Sequence, residues 1–326
     1  MRFVIYGAGA VGGVIGGRLF EHGHDVALVA RGEHARALQR HGLRLEWPAG
    51  QATLPIPTVE DPHDLRLGPD DVVILAMKTQ DSEAALDALA SSAHGPAVVA
   101  CAQNGVENER LALRRFADVQ AICVMCPATH LEPGVVQASS TPVTGILDVG
   151  RYPSGVDVAT TTLAAALGGS TFVSEARPDI MRWKYSKLLM NLGNVVQAAF
   201  TPSSAATELS RQARHEGRAC LEAAGIDVAS AAEDRERRAD LLTPRPVGER
   251  ERGGGSTWQS LARGATRLET DFLNGEIVLL GRRHGVATPI NQALQELGHQ
   301  LTRDRPEPGS ADAEVFVAAL GDPAAR

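Results

Sequence analysis

Met1-Arg-Phe-Val-Ile-Tyr-Gly7-Ala8-Gly9-Ala10-Val11-Gly12 opens the chain. The first six residues read as a buried strand that runs directly into Gly-x-Gly-x-x-Gly. A helical pattern continues as far as His22-Gly23, and a second strand from Asp25 to Ala30 ends at Arg31. Strand, glycine motif and helix in that order form the first turn of a dinucleotide-binding fold. Gly7 allows the tight turn, Gly9 lets the backbone approach a pyrophosphate, and Gly12 lets helix and strand pack closely. Ala8, Ala10 and Val11 complete the loop. The helix N-terminus, with unpaired N–H groups and the positive end of the dipole, then receives the phosphates.

The residues just past the second strand bear on the choice of cofactor. NAD-specific domains place Asp or Glu there for the ribose 2′-hydroxyl. Here Ala30-Arg31-Gly32 carries no acid. A guanidinium at that point suits a 2′-phosphate through charge-assisted, often bidentate hydrogen bonds. The alternative is a solvated loop arginine. NADPH is therefore expected over NADH.

The chain has 326 residues, enough for one large domain or two ordinary ones. Apolar residues at 44% and charged residues at 22% describe a globular protein with a proper core. A net charge of −7 argues against binding to nucleic acid or an anionic membrane. No apolar run is long enough to span a bilayer. With Met1 opening the first core strand, no cleavable signal peptide is expected, and the cytoplasm is the expected compartment. Cys123-Val-Met-Cys126 has no second C-x-x-C to complete a zinc site. Strand alternation would send its two side chains to opposite faces, so core cysteines and no metal are expected.

Strand–helix units continue along the chain. Asp71 to Met77 is a buried strand followed by Lys78-Thr-Gln-Asp and a helix from Ser82 to Ser92. Ala97 to Ala102 is another, followed by Gln103-Asn104-Gly105 and a helix near Glu107 to Phe116. Such repeats give a parallel sheet with helices on both faces, and ligands bind beyond the carboxyl ends of its strands. Lys78 and Asn104 fall at those ends. From Gln120 to Val149 short β segments with turn signals suit antiparallel strands extending the sheet. Beyond Arg177-Pro178-Asp179 the chain turns mainly helical. The expected fold class is α/β, with a Rossmann-type dinucleotide-binding domain at 1–176 and a helical substrate domain at 177–326. The charged stretch from Ala231 to Gly255, closing in three glycines, is expected to be part helix and part mobile loop. Residues 250–257 are expected to order on ligand binding as the domains close. The last six residues are expected to fray.

A second constellation lies on the first long C-terminal helix. Trp183, Lys187, Asn191 and Asn194 lie at i, i+4, i+8 and i+11, on one face of a helix. A surface helix can carry such a stripe, yet asparagine forms helices poorly and needs compensating hydrogen bonds. A lysine beside two amides can bind and protonate a carbonyl oxygen. A further helical stretch runs from Ser256-Thr257 to Glu269-Thr-Asp271 and Asn274-Gly275. Ser256 with Gln259 reads as a capping box, and Glu269 and Asp271 read equally well as surface acids. Gly275 inside the pattern points to close backbone packing.

These motifs together resemble the 2-dehydropantoate 2-reductase (ketopantoate reductase) family nearly end to end. The likeness rests on Gly7-Ala-Gly9-Ala-Val-Gly12, Ala76-Met-Lys78-Thr-Gln80, Gln103-Asn104-Gly105, Trp183-x-x-x-Lys187-x-x-x-Asn191, Glu269-x-Asp271-x-x-Asn274-Gly275 and His284 to Asn291. The resemblance implies NADPH as cofactor and a cleft between the two domains. It implies Lys187 as general acid and Glu269 as substrate-binding acid. Lys78 and Asn104 would line the nicotinamide and substrate site, with Asn191 on the substrate and Ser256 or Thr257 on its carboxylate. The expected reaction is reduction of a small 2-oxo acid, foremost 2-dehydropantoate to (R)-pantoate in pantothenate biosynthesis. The alternatives are reduction of another oxo acid or ketone, or a non-catalytic NADPH-binding regulator. Both a monomer and a homodimer are compatible with it. The chain departs from the family pattern where Asn194 comes three residues after Asn191 rather than four. It departs again at Trp258, Ser260 and Thr270, and in a Ser256–Glu269 spacing one residue longer. All of these fall on the expected substrate wall.

Overall fold

The computed structural model describes residues 1–91, 95, 98–248 and 254–321. Its contacts divide the chain into two compact units. The first is Met1–Lys184 with Ala229–Arg252, and the second is Tyr185–Val228 with Gly253–Arg326. The division falls inside the helix Ile180–Asn191, eight residues past the boundary expected at 176. Its early residues belong to the first unit because their side chains are buried there: the Arg177 guanidinium stacks 4.2 Å over the Trp183 ring, and Lys184 pairs with Glu109.

The first unit is built on an eight-stranded sheet. Its order is Phe172–Val173, Gly145–Arg151, Val119–Met125, Val98–Cys101, Asp71–Leu75, Arg2–Tyr6, Asp25–Val29, Thr58–Val59. All neighbours run parallel except that Gly145–Arg151 turns back antiparallel to Val119–Met125, the extension expected from the short β segments. The strands are apolar throughout because both faces are covered. Phe3 and Ile5 pack with Val14, Ile15 and Leu19 of the helix Ala10–Glu21. Val4 and Tyr6 face the other way, onto Leu75, Leu86 and Leu89. Arg2–Tyr6 has Asp25–Val29 on one side and Asp71–Leu75 on the other, so the chain leaves the first strand in one direction and returns on the opposite side. That is the switch point where an open parallel sheet forms its ligand crevice.

The charged stretch from Ala231 is part helix, as expected, and adds a short strand that the sequence does not announce. Ala231–Arg238 is a helix with a Ser230–Glu233 capping box, and Leu242–Pro244 pairs antiparallel with Ser140–Pro142. Arg237 and Arg177 both bind the buried Asp148. Burial alone would raise the Asp148 carboxyl, but the two guanidiniums hold it below its ordinary value. The part of the expected mobile loop from 249 to 253 and the tail from 322 lie outside the described residues.

The second unit is helical. Ser204–Ala223, Asn274–His284 and Pro289–Asp304 pack on one another around Leu209, Leu221, Ile277, Leu294 and Leu301. Two expected long helices are broken. Ile180–Asn191 stops at Asn191, Leu192-Gly193 forms a turn, and Asn194–Ala199 starts a new helix. A Cβ on Gly193 would come within 3.0 Å of Ser210 Oγ, so the chain turns where only glycine fits without adjustment. Asn194 therefore lies on a separate helix from Lys187 and Asn191 rather than on the one continuous helix expected. Likewise Ser256–Ala262 ends well before a 3-10 turn at Glu269–Phe272, and Asn274–His284 comes next as a separate helix.

Candidate active site

The sheet presents one continuous edge of loop starts. Tyr6 lies opposite both Val29 and Leu75, and Leu75 lies opposite Cys101, so these strands end level. Gly7, Arg31, Lys78 and Asn104 all follow within three residues of those ends. Gly7 takes φ +100°, and a Cβ there would stand 2.5 Å from the Met77 backbone nitrogen. A Cβ on Gly12 would stand 2.1 Å from the Gly7 carbonyl oxygen. Around Gly9, by contrast, a Cβ would meet nothing within 4 Å. Gly9 is the N-cap of Ala10–Glu21, with no side-chain cap and no acid in the first turn. A crowded turn, an open position beside it and an uncapped helix start match what a dinucleotide pyrophosphate requires.

Arg31 is exposed and is the N-cap of the helix Gly32–His41. An acid does stand near this strand end, contrary to the reading of the local sequence. Glu60 lies just past the neighbouring strand Thr58–Val59, and its Oε2 accepts from the Gly32 N–H at 3.4 Å. Parallel pairing brings it there from 28 residues away.

The loops carrying Lys78 and Asn104 are tied together from beneath. Lys78 is half-buried and caps a 3-10 turn, Thr79–Asp81. Gln103 Nε2 donates to the Met77 carbonyl at 3.1 Å and to Ser82 Oγ at 2.7 Å. Ser82 Oγ donates to Asn108 Oδ1 at 2.7 Å, and Asn108 Nδ2 donates to Thr79 Oγ1 at 3.1 Å. Below them Lys184 Nζ donates to the Gln103 carbonyl at 3.0 Å and to Glu109 Oε1, with both charged side chains almost wholly buried. Removing one partner of such a pair costs roughly 3–5 kcal/mol. Burial first, and the Glu109 charge second, push the Cys101 thiol and the Tyr152 phenol up. Lys184 and Glu109 carry no signal in the sequence, where Lys184 is one more cation beside Lys187.

In the helical unit Lys187 is half-buried, and Asn191 lies one turn further along the same helix. Asn191 is 4% exposed, and its Nδ2 has no hydrogen-bond partner among the described residues. The turn after it is pinned: buried Asn274 Nδ2 donates to the Leu192 carbonyl at 3.1 Å and to Asn291 Oδ1 at 3.1 Å. Asn291 Nδ2 in turn donates to the Ala213 carbonyl and to Glu216 Oε2. Asparagines at helix starts and interiors are the sign of this support that the sequence offers. Glu269 is buried at the first position of its 3-10 turn, whereas Asp271 is exposed and binds His299 and Gln295. A Cβ on Gly275 would lie 2.9 Å from Gln295 Nε2, the end of a flexible side chain, and 3.3 Å from the Thr270 carbonyl oxygen.

Ser256 is not a helix cap. Gly255 occupies that position, and Gln259 Nε2 donates to the Gly254 carbonyl instead of completing a capping box. Ser256 is half-buried and Thr257 buried in the first turn of Ser256–Ala262, which packs on Asn194–Ala199. Gln197 Oε1 accepts from the Gly255 N–H at 3.0 Å and holds that turn. The four cysteines are free. Among the described residues no group of three His, Cys, Asp or Glu is arranged to hold a metal, and no helix is long and apolar enough to cross a membrane.

Residues 3–153 match the family model for ketopantoate reductase PanE/ApbA, and residues 179–302 match the model for the C terminal part of the same family. A 2-dehydropantoate 2-reductase of Halobacterium salinarum is 28% identical over 318 residues, covering 93% of this chain and 100% of the relative. The crystal structure of a PanE/ApbA family ketopantoate reductase from Ralstonia eutropha JMP134 superposes with a TM-score of 0.77 at 27% identity, covering 94% of this chain and 99% of that one. D-mandelate dehydrogenase in its ternary structure with NADH and anilino(oxo)acetate shares the fold, with a TM-score of 0.77 at 24% identity and coverage of 94% and 99%. With both family models matched in order along most of its length, the chain belongs to the ketopantoate reductase family and is an oxidoreductase.

Proposed function

We propose that this protein reduces a 2-oxo acid with NADPH, and that 2-dehydropantoate, giving (R)-pantoate, is its substrate. NADPH, when bound, supplies the hydride that reaches the ketone carbon. The loop Gly7–Gly12 and the N-terminus of Ala10–Glu21 hold the pyrophosphate, and Arg31 holds the 2′-phosphate. Lys78 and Asn104 line the nicotinamide end. Lys187 donates a proton to the oxygen that becomes the alkoxide, and its ammonium stabilises the charge building there. Glu269 accepts a hydrogen bond from a substrate hydroxyl, and Ser256 or Thr257 donates to the carboxylate.

The observation that carries this reading is the Asn191 amide. A buried donor without a partner costs about 1–3 kcal/mol, and it lies one helical turn from Lys187. A substrate oxygen would complete its hydrogen bonding. A second reading, favoured by the likeness to D-mandelate dehydrogenase, keeps the same groups for a different oxo acid. A panel of 2-oxo acids assayed for NADPH oxidation separates the two. The expected result is the highest kcat/KM for 2-dehydropantoate; a rank among the poorest substrates overturns that choice. No turnover with any acid, with NADPH still bound, points instead to a non-catalytic NADPH-binding regulator.

A further inference from the structure

The glycine loop is held from behind by a residue outside the motif. His34 lies in the first turn of Gly32–His41, three residues after Arg31. Its Nδ1 accepts from the Gly134 N–H at 2.9 Å. The ring proton must therefore sit on Nε2, which donates to the Ala8 carbonyl at 2.8 Å. The ring also stacks on His130, with centroids 4.2 Å apart. His130 Nδ1 donates to the Val135 carbonyl at 3.0 Å, so the neighbouring ring has its own fixed proton. On the other side, the Ala8 carbonyl oxygen lies 2.9 Å from where a Cβ on Gly13 would stand, tucked against the helix.

In a planar trans peptide the carbonyl and the next N–H point in opposite directions. Holding the Ala8 carbonyl toward His34 therefore aims the Gly9 N–H to the opposite side of the loop. Without the imidazole, the Ala8 peptide would be free to rotate and turn its oxygen toward an incoming phosphate.

We propose that His34 is a positioning residue for the pyrophosphate: its Nε2–H tautomer, imposed by the Gly134 N–H, locks the Ala8–Gly9 peptide in the orientation that receives the anion. This rests on the dinucleotide reading above. The pyrophosphate is common to both nicotinamide cofactors, so His34 acts on NADPH and NADH alike, whereas Arg31 distinguishes them.

The test is the Kd of NADPH and of NADH, by fluorescence titration without substrate, for the wild-type protein and for His34→Ala, His34→Gln and His34→Asn, with melting temperatures measured alongside. The glutamine amide nitrogen reaches the place of Nε2, and the asparagine amide reaches only the place of Nδ1. The expected result is a roughly tenfold loss for both cofactors in His34→Ala, the effect of one hydrogen bond. His34→Gln recovers most of it and His34→Asn does not, in an order that the melting temperatures do not track. Normal binding by His34→Ala, a loss confined to NADPH, or glutamine and asparagine variants equally weak would each overturn the proposal. A wild-type protein that binds neither cofactor overturns the dinucleotide reading itself.

Discussion

The two units build their candidate sites from different materials. In the first, the edge formed by Gly7, Arg31, Lys78 and Asn104 is set by the sheet: four parallel strands end level, and loops leave them side by side. Most of what that edge offers is backbone, in the open ground at Gly9 and the uncapped start of Ala10–Glu21. In the second unit no sheet collects the residues. Lys187 and Asn191 share a helix, but Glu269 sits on a 3-10 turn and Ser256 on a short helix. Amides from other segments, the buried Asn274 and the exposed Gln197, hold the pieces in place. The strand-end set offers mainly backbone and a charged loop to a dinucleotide, while the helical pieces offer an ammonium, amides and a carboxylate to a small acid. Cofactor binding is therefore expected to depend on the first set and chemistry on the second.

The largest expected effect falls on the second set. Lys187→Ala should lower kcat by roughly 10²–10⁴-fold, the usual range for loss of a general acid. The Kd for NADPH should stay within a few-fold of wild type, because the cofactor reading rests wholly on the first unit. Steady-state kinetics beside a fluorescence titration measures both. Turnover close to normal would remove Lys187 from the chemistry, and a parallel loss of NADPH binding would break the division of labour.

The same contrast explains what is legible in the sequence. Gly7 and Gly12 announce their geometry inside one short motif: Gly7 takes φ +100°, and a Cβ on Gly12 would stand 2.1 Å from the Gly7 carbonyl oxygen. The alternating strands and helices of the first unit are readable in the same local way. Asn194 is misplaced by periodicity because the pattern continues smoothly across a turn. The break falls at Leu192-Gly193, where the buried Asn274 amide donates to the Leu192 carbonyl from 82 positions away, a tertiary bond that no local pattern announces. The Ser256 capping box fails for a local reason: Gly255 takes the cap position and Gln259 donates to the Gly254 carbonyl. Lys184, Glu109 and Glu60 are invisible, because pairing between residues 28 to 75 positions apart leaves no local pattern.

A smaller effect is expected at the adenosine end. Arg31→Ala should weaken NADPH by roughly ten- to hundredfold, the loss of a charge-assisted hydrogen bond to phosphate, and leave NADH nearly unchanged. Equal losses would mean that Arg31 touches something common to both cofactors or only supports its loop. The ratio of the two Kd values is the quantity to measure, because it cancels any general loosening of the unit.

The smallest effect, and the one that most sharpens the reading of the first unit, belongs to Glu60. Two opposed charges, Arg31 and Glu60, flank the backbone at Gly32. If the 2′-phosphate lies against Arg31, the Glu60 carboxylate repels it, and Glu60→Gln should tighten NADPH by roughly two- to fivefold, the scale of one exposed charge pair. The gain should shrink as salt is raised, because exposed charges are screened. NADH should be indifferent. A different outcome reverses the assignment: if Glu60→Gln weakens NADH and leaves NADPH untouched, Glu60 is the acid that binds the ribose hydroxyls. In that case it does the work usually given to a residue at the end of the second strand, from the strand beside it, and NADH is the natural cofactor. Titrating both cofactors against this variant at low and high salt distinguishes the two, since a hydrogen bond to ribose hydroxyls is far less dependent on salt than repulsion of a phosphate.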